Sequence, residues 1–245
     1  MSIKLSIVTP VYKGKEKHIK DFNEKYSIVS KYLQPEEFEM IYVFDGSLLN
    51  SPLELQKYIQ DNNIQNTKLI IRENNMGKGY SVREGLGQAN GEYISFIDFE
   101  PEVSIDTFMK MFKELERTGM DYAIGNRFIK GSHYETTFVR KIVSICNQII
   151  NKIFFGINFP DSQAGAKIFR ATSYNSIKGL LKEDRYALDI EIILYLQKFK
   201  FTCLQYPIEY LRKDEEFTTV NLYSVSMGIF TSILKLWWRI KIRNS

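Results

Sequence analysis

Cysteine and histidine are scarce in this 245-residue sequence, which contains two of each. Cys146 and Cys203 both lie within apolar patterns, so no disulfide framework is implied and a reducing, cytosolic setting is favoured. His18 and His133 lack the spacing of metal ligands. The sequence also has no arrangement of nucleophile, histidine and acid of the hydrolase kind.

Long apolar runs are missing as well. No stretch reaches the roughly 18–20 consecutive apolar residues needed to cross a bilayer. The start, MSIKLSIVTP, enters a predicted strand without the apolar region and cleavage site of a signal peptide. We therefore expect the chain to stay inside the cell without spanning a membrane. With no internal repeat, low-complexity tract or convincing linker, we expect one domain, residues 1–220, and a terminal appendage, residues 221–245.

The overall composition has no strong bias. A net charge of +4 is too modest to indicate nucleic-acid binding by itself. The contents of 44% hydrophobic and 25% charged residues are ordinary for a soluble globular protein. Aromatic residues are frequent at 14%, which indicates a large core or a surface that contacts lipid or sugar.

The first half of the chain alternates strand and helix patterns. Apolar runs rich in β-forming residues predict strands at 5–9, 39–44, 68–71 and 93–97. Between them, helices are predicted at 19–33, 53–62, 78–89 and 105–117. This alternation favours βαβ units, an α/β fold and a mostly parallel sheet flanked by helices. Ligands of such sheets bind at the carboxyl ends of the strands, so the polar residues after each strand become site candidates.

The second half is less regular. Strands are predicted at 122–124, after the turn PDSQAGAK and at 201–207, and helices at 138–154, 174–181 and 188–199.

Three carboxylates, Asp98, Glu100 and Glu102, follow the fourth predicted strand. Alternate side chains of extended backbone face the same way, and Pro101 biases Glu100 toward that conformation. Hard divalent cations prefer such oxygen ligands and often use one or two carboxylates plus substrate phosphates. The alternative is solvated acidity before a helix that Ser104 caps.

Several motifs occur in a fixed order along the chain. They are LSIVTPVYKG, VFDGS, ENNMGKGYSVREGLGQANGEYISFID and GNRF. In this set the chain resembles glycosyltransferase family 2, with its GT-A nucleotide-diphospho-sugar fold. Residues 140–169, RKIVSICNQIINKIFFGINFPDSQAGAKIF, resemble more narrowly the polyprenyl-phosphate sugar transferases, the dolichyl-phosphate mannose and glucose synthases. Together the motifs cover about residues 3–212.

The resemblance implies an inverting transfer of a sugar from a UDP- or GDP-linked donor to a polyprenyl phosphate at the cytoplasmic membrane face. Mg²⁺ or Mn²⁺ would be the cofactor, held by Asp98, Glu100 and Glu102. The implied donor contacts are Pro10 and Tyr12 at the nucleotide base, Asp45 beside the base and Lys78 at the nucleotide or its diphosphate. Arg127, Arg140 and Ser144 would hold the acceptor phosphate. Gln163 and Lys167 would lie near the donor or reaction centre, and Arg212 would cover the diphosphate.

The sequence departs from the family pattern at several of these positions. Phe44 replaces the first aspartate of DDGS, and VYKG lacks the acid of the TYNE box, for which Glu16 could substitute. Phe99 stands where the metal motif has a small residue, and Glu100 and Glu102 replace an aspartate and a glutamine. These changes leave the identity of the donor open.

Two other functions stay open on this evidence. A sugar-to-sugar transferase of surface polysaccharide synthesis would need a carboxylate base near the acceptor, such as Asp161 or Asp189. A degenerate relative would bind a nucleotide sugar or lipid, or support a partner enzyme, without catalysis. Single residues have structural alternatives too: Tyr12 as a packed rim aromatic, Lys78 as a solvated turn residue and Arg140 as an exposed helix start.

The appendage is predicted to contain a helix over residues 223–243. Tryptophans and basic residues occur together near its end, at Trp237, Trp238, Lys235, Arg239, Lys241 and Arg243. Such a helix can lie in a lipid interface, with its cations on phosphates and its indoles at headgroup depth. We expect peripheral membrane contact; packing on the domain or between copies in a homo-oligomer is the alternative.

Overall fold

The computed structural model describes residues 2–12, 18–46, 51–99, 103–134, 138–156, 161, 164–185, 187–210 and 219–243. Within these ranges the side chains of residues 51, 134, 138–144, 146, 147, 210, 219–227, 229, 242 and 243 are not described. The predicted site residues Glu100, Glu102, Gln163 and Arg212 lie outside the described residues. For Arg140 and Ser144, only the helical backbone is described.

The strands are β1 (Leu5–Tyr12), β2 (Phe38–Asp45), β3 (Thr67–Arg72), β4 (Tyr93–Ile97), β5 (Tyr122–Asn126), β6 (His133–Tyr134), β7 (Ala166–Arg170), β8 (Cys203–Pro207) and β9 (Glu209–Tyr210). The helices are α1 (His18–Val29), α2 (Ser51–Asp61), α3 (Lys78–Gly87), α4 (Ile105–Thr118), α5 (Phe138–Phe155), α6 (Ala171–Ile177), α7 (Leu188–Lys198) and α8 (Thr219–Arg243). Short 3₁₀ turns cover Pro35–Glu37 and Lys178–Leu180.

A seven-stranded sheet forms the centre of the fold, in the order β3-β2-β1-β4-β7-β5-β8. β1 runs parallel to β2 and β4, β2 to β3, and β5 to β8. β7 lies antiparallel between β4 and β5. β6 and β9 form a separate parallel pair. The predicted mostly parallel α/β fold is confirmed.

The central strands are buried on both faces, as the near-continuous apolar runs of parallel strands require. Every residue of β2, β4 and β5 is buried. On one face α1, α2 and α4 complete a hydrophobic core, and on the other α3, α6, α7 and α8 complete a second.

Helix α4 shows how the sequence sets these elements. Ser104 caps its start, with Oγ accepting a hydrogen bond from the Thr107 N–H at 3.1 Å. Gly119 ends it in the left-handed conformation at φ 68°. Apolar residues on one face bury against the sheet, with Phe108 and Phe112 wholly inaccessible. β4 ends at Ile97, so Asp98, the first residue of the predicted metal motif, follows that strand directly at the edge of the sheet.

The terminal helix α8 packs on the domain through part of its length. Ile233 and Leu236 are fully buried in the second core, and the Trp237 ring meets the Phe154 ring of α5 edge-on at 5.5 Å. Trp238 remains 64% exposed. No helix among the residues described here is long and apolar enough to cross a membrane.

Candidate active site

The carboxyl ends of β1, β2 and β4 meet at one edge of the sheet and bring the first group of predicted residues together. In the β1–β2 register Tyr12 pairs with Asp45 and Pro10 with Val43. Tyr12 is 57% exposed, and Pro10 is partly buried behind it. The Tyr12 ring therefore lies partly in solvent at the edge where sheets of this class bind their ligands.

Asp45 is buried and holds the turn before α3. Its Oδ1 accepts a hydrogen bond from the Met76 N–H and its Oδ2 one from the Gly77 N–H, both at 2.8 Å. Gly77 has φ 103°, a conformation that favours glycine. The carboxylate therefore fixes the backbone that presents Lys78; its place beside the base stays a prediction.

Arg72, at the end of β3, supports the same turn and was missed by the sequence-based predictions. Its Nη2 donates to Ser81 Oγ at 2.6 Å and lies 3.3 Å from Asp45 Oδ1. Its Nη1 pairs with Glu84 at 3.1 Å, and its guanidinium lies 4.7 Å from the Tyr80 ring centroid. The sequence feature that could have identified Arg72 is its position at the end of a predicted strand, since β3 ends at the same edge of the sheet as β1 and β2.

Lys78 and Asp98 form the central contact of the site. Lys78 Nζ lies 2.6 Å from Asp98 Oδ1, and each side chain is 35% exposed. On the other side of Asp98, a Cβ built on Gly165 would come within 2.5 Å of Oδ2. The carboxylate thus lies between a lysine ammonium and a glycine that leaves room for it.

A divalent cation fits the part of the metal motif that the structure describes. Asp98 offers a carboxylate that is 35% exposed, and one carboxylate plus substrate phosphates is a common way to hold Mg²⁺. No cluster of three or more histidine, cysteine, aspartate or glutamate side chains suited to a metal occurs among the described residues. Glu100 and Glu102 lie outside them, so their metal role stays a prediction.

Beneath Asp98 lies a buried polar network that sequence reasoning also missed. Lys25 of α1, 1% exposed, pairs with Asp21 at 2.7 Å and donates to the Asp98 carbonyl oxygen at 3.3 Å. The Tyr42 hydroxyl donates to Asp21 at 3.1 Å. Burial and the nearby carboxylate raise the pKa of the Tyr42 phenol well above its ordinary value. The i, i+4 spacing of Asp21 and Lys25 was the available signal.

The two phenylalanines that depart from the family pattern both face the core. Phe99 packs against the first core, with its ring centroid 5.1 Å from the His18 ring and 5.5 Å from Lys25 Nζ. Phe44 is fully buried and meets the His18 ring edge-on at 5.4 Å. Phe99 therefore fits without displacing Asp98 from the site.

Arg127, directly after β5, is held by Asp161. Arg127 Nε and Nη2 donate to the two carboxylate oxygens of Asp161, each at 2.7 Å, and its backbone N–H donates at 3.0 Å. Asp161 is 2% exposed. A bidentate pair of this kind fixes the plane of the guanidinium. Asp161 is thereby occupied in orienting Arg127.

Lys167 on β7 is fully buried and lies below the site surface. Its Nζ donates to Asp189 Oδ1 at 2.6 Å and to the Ala164 carbonyl oxygen at 2.7 Å, and lies 5.3 Å from the Phe96 ring centroid. Asp189 is 14% exposed at its side chain. The ion pair joins β7 to α7; the predicted place of Lys167 at the reaction centre stays a prediction.

The fold thus places an ammonium–carboxylate pair at the carboxyl edge of a mostly parallel α/β sheet, the edge where sheets of this class bind their ligands. The family model Glycosyl transferase family 2 matches residues 6–178. The chain belongs to glycosyltransferase family 2.

Named relatives are similar along nearly the whole chain. Glycosyltransferase AglD of Haloferax volcanii is 19% identical over 98% of this chain and 38% of its own length. A dolichyl-phosphate beta-glucosyltransferase of Dictyostelium discoideum is 23% identical over 97% of this chain and 75% of its own length. The chain therefore spans well under half of the first relative and three quarters of the second.

Solved structures share the fold. A Pyrobaculum calidifontis mannosyltransferase in complex with GDP-Man and Mn²⁺ superposes with a TM-score of 0.67 at 12% identity. The superposition covers 98% of this chain and 65% of that one. At this identity the likeness shows the GT-A architecture alone.

Proposed function

We propose that this chain transfers a sugar, with inversion, from a UDP- or GDP-linked donor to a polyprenyl phosphate. The observation that carries the proposal is the contact of Lys78 with Asp98 at the carboxyl edge of a family 2 sheet. The relative from Dictyostelium, named for dolichyl phosphate, supports a lipid phosphate as acceptor.

The donor would bind along the edge formed by β1, β2 and β4. Tyr12 and Pro10 would face the base, with Asp45 beside it. Asp45 also holds the turn that presents Lys78 to the diphosphate. Gln163 would lie near the donor, and Arg212 would cover the diphosphate.

Mg²⁺ or Mn²⁺ would be held by Asp98 together with Glu100 and Glu102. When bound, the ion would neutralise the negative charge that develops on the departing diphosphate. Lys78, whose ammonium lies 2.6 Å from Asp98 Oδ1, would add a second positive charge there. The ion and Lys78 would together compensate the negative charge of the leaving group.

The acceptor needs positioning rather than a base. A phosphate monoester is largely ionised near neutral pH and can attack the anomeric carbon directly in one in-line displacement. Arg127, with its guanidinium plane fixed by Asp161, would hold that phosphate together with Arg140 and Ser144.

The ion pairs formed by the two candidate base carboxylates favour a phosphate acceptor over a sugar hydroxyl. A sugar-to-sugar transfer requires a carboxylate that accepts a proton from the acceptor. The two candidates, Asp161 and Asp189, are held in ion pairs with Arg127 and Lys167. Transfer to a phosphate needs neither of them.

Contact with the cytoplasmic membrane surface is part of the proposal and rests on two helices. Exposed apolar side chains recur at every fourth position of α5 and of α8: Ile145, Ile149, Ile153, and Phe230, Leu234, Trp238. Lys241 lies 4.6 Å from the Trp237 ring centroid, beside this surface. Apolar side chains flanked by cations and indoles suit a lipid interface.

One transfer assay tests the reaction. Purified protein is incubated with labelled UDP- and GDP-sugars, Mn²⁺ or Mg²⁺ and a short polyprenyl phosphate, and the products are extracted into organic solvent. We expect label to appear in the lipid phase when the metal ion is present, and we expect EDTA in the reaction to prevent this transfer. Label transferred only to a saccharide acceptor would support the second function, and nucleotide binding without turnover would support a non-catalytic protein.

Two variants test the proposed donor and acceptor contacts separately. Lys78→Ala should reduce transfer and nucleotide affinity together, with Lys110→Ala as the control, since Lys110 pairs with Asp106 at the surface of α4. Arg140→Ala should abolish transfer to lipid phosphate while nucleotide binding stays nearly intact. Unchanged transfer by the Arg140 variant would remove the assignment of the acceptor site.

A further inference from the structure

The loop of residues 181–185, which we call the backing loop, lies directly behind the Lys78 turn. The Tyr80 N–H donates to the Asp184 carbonyl oxygen at 3.0 Å. A Cβ on Gly77 would come within 2.4 Å of that oxygen, and one on Gly79 within 2.6 Å of the Arg185 carbonyl oxygen. The two backbones are thus in contact, so a shift of the backing loop moves the turn.

Arg83 of α3 forms a second link between this helix and the backing loop. Its Nη1 donates to the Leu181 carbonyl oxygen at 2.9 Å, and its Nη2 forms an ion pair with Asp184. The backing loop is therefore joined to the helix that begins with Lys78.

Glu191 of α7 holds the backing loop from below. Its Oε2 accepts hydrogen bonds from the N–H groups of Lys182 at 2.9 Å and Glu183 at 2.8 Å. The side chain is fully buried. A buried carboxylate needs a countercharge as well as hydrogen bonds, because desolvation disfavours its charged form.

That countercharge comes from the terminal helix. Arg239 Nη2 lies 2.6 Å from Glu191 Oε1 and 3.0 Å from Glu183 Oε1. The two carboxylates are 0% and 10% exposed at their side chains. Burial raises the pKa of each carboxyl above its ordinary value, and Arg239 opposes that rise. One guanidinium therefore compensates two buried acids that hold the backing loop.

We propose that Arg239 is a positioning residue for the donor diphosphate: through Glu183 and Glu191 it fixes the backing loop, and through that loop the Lys78 turn. The inference rests on the proposed function, because it takes the Lys78 turn as the part that binds the diphosphate. Arg239 touches no substrate in this scheme. Loss of its charge would leave Glu191 buried without its ion-pair partner, and the backing loop, whose N–H groups bind that carboxylate, would shift as the site adjusts.

The test uses the 245-residue chain and measures nucleotide affinity directly. UDP and GDP are titrated in Mn²⁺ into wild type, Arg239→Gln, Arg239→Lys and Lys235→Gln, and donor KM and kcat are measured alongside. Coupling of this kind between sites typically changes affinity roughly 2- to 30-fold. We expect Arg239→Gln to weaken nucleotide binding and raise donor KM within that range, with kcat at saturating donor nearly unchanged.

Two controls separate positioning from a general loss of structure. Lys235→Gln removes the same charge from an exposed position one turn earlier on α8 and should behave as wild type. Arg239→Lys keeps the charge and should recover part of the affinity. If Arg239→Gln does not fold, Glu183→Gln serves instead, since it retains the ion pair of Arg239 with Glu191 and should give a smaller loss.

The outcomes are distinguishable from those for the function itself. Nucleotide affinity equal to wild type in Arg239→Gln would overturn the inference. So would equal increases in the KM values for donor and acceptor, which would indicate general loosening. A wild-type protein that binds neither nucleotide would overturn the proposed function and this inference with it. A wild type that binds nucleotide without transferring to lipid would overturn only the proposed acceptor.

Discussion

The buried pair of Lys167 and Asp189 gives the sharpest energetic prediction. Removing one partner of a buried ion pair costs roughly 3–5 kcal/mol, because the other charge remains without compensation. The two side chains differ in access to water: Lys167 is 0% exposed and Asp189 14%. The unpaired aspartate can be partly hydrated, whereas the unpaired ammonium keeps the Ala164 carbonyl oxygen and the Phe96 ring as its described neighbours.

The two single variants should therefore differ in a fixed order. Lys167→Met should cost about 3 kcal/mol, the lower end of the range, and Asp189→Leu about 5 kcal/mol, the upper end. Even the smaller value lowers the ratio of folded to unfolded protein about 150-fold. It is also a large part of the roughly 5–15 kcal/mol by which domains are stable.

Urea unfolding followed by circular dichroism measures these costs, and the double variant Lys167→Met/Asp189→Leu completes the cycle. Replacing both charges with apolar groups should recover most of the stability, since an apolar pair can substitute for a buried ion pair. Transfer activity of the stable double variant then shows whether Lys167 also acts in the chemistry. An Asp189→Leu protein more stable than Lys167→Met, or costs that simply add, would refute the reasoning.

Three other predictions concern the site edge, the backing loop and β8. Gly165→Ala should lower the affinity for nucleotide in Mn²⁺ about tenfold, because the added Cβ displaces the Asp98 carboxylate. The urea midpoint of unfolding should change little. Unchanged nucleotide affinity, measured by calorimetry, would contradict this prediction. Burial raises the pKa of the Glu183 carboxyl above its ordinary value of 4.5, so the contribution of this group to stability should fall as pH rises from 4.5 through the raised pKa. In urea titrations across pH, the stability of wild type relative to Glu183→Gln should therefore fall over that range. Burial raises the pKa of the Cys203 thiol to about 12, so its alkylation at pH 8, followed by peptide mass spectrometry, should be slow until urea unfolds the chain.

Most elements of the fold were predictable from local pattern. The strand at residues 93–97 was placed correctly at both ends, and the helix predicted at 105–117 extends one residue further. The strand is a nearly continuous apolar run, and the helix has a clear period-3.6 pattern with explicit end signals at Ser104 and Gly119. The antiparallel direction of β7 was not predicted, because strand direction depends on how the chain returns to the sheet.

The sequence indicated which charged residues lie at the edge of the sheet, but not how deeply each side chain is buried. Lys78 and Asp98 were expected at one edge and are in contact there. Lys167 is fully buried, and its expected place near the reaction centre stays a prediction. Its burial was not predictable, since a lysine in a strand has the same local pattern whichever layer covers it. Arg239 was read as an interface cation, and its pairing with Glu191 depends on tertiary packing between two distant helices.

The position of β7 in the sheet has one more consequence. The order β3-β2-β1-β4 contains only strands from the first 97 residues, and β7-β5-β8 only strands from residues 122–207. The two blocks of the sheet are joined by the β4–β7 ladder, where Ile97 pairs with Ala166. Under the proposed function the first block supplies most of the donor contacts and the second the acceptor contacts. Donor and acceptor choice can therefore diverge separately between relatives, and chimaeras exchanged at this ladder should inherit one preference from each parent.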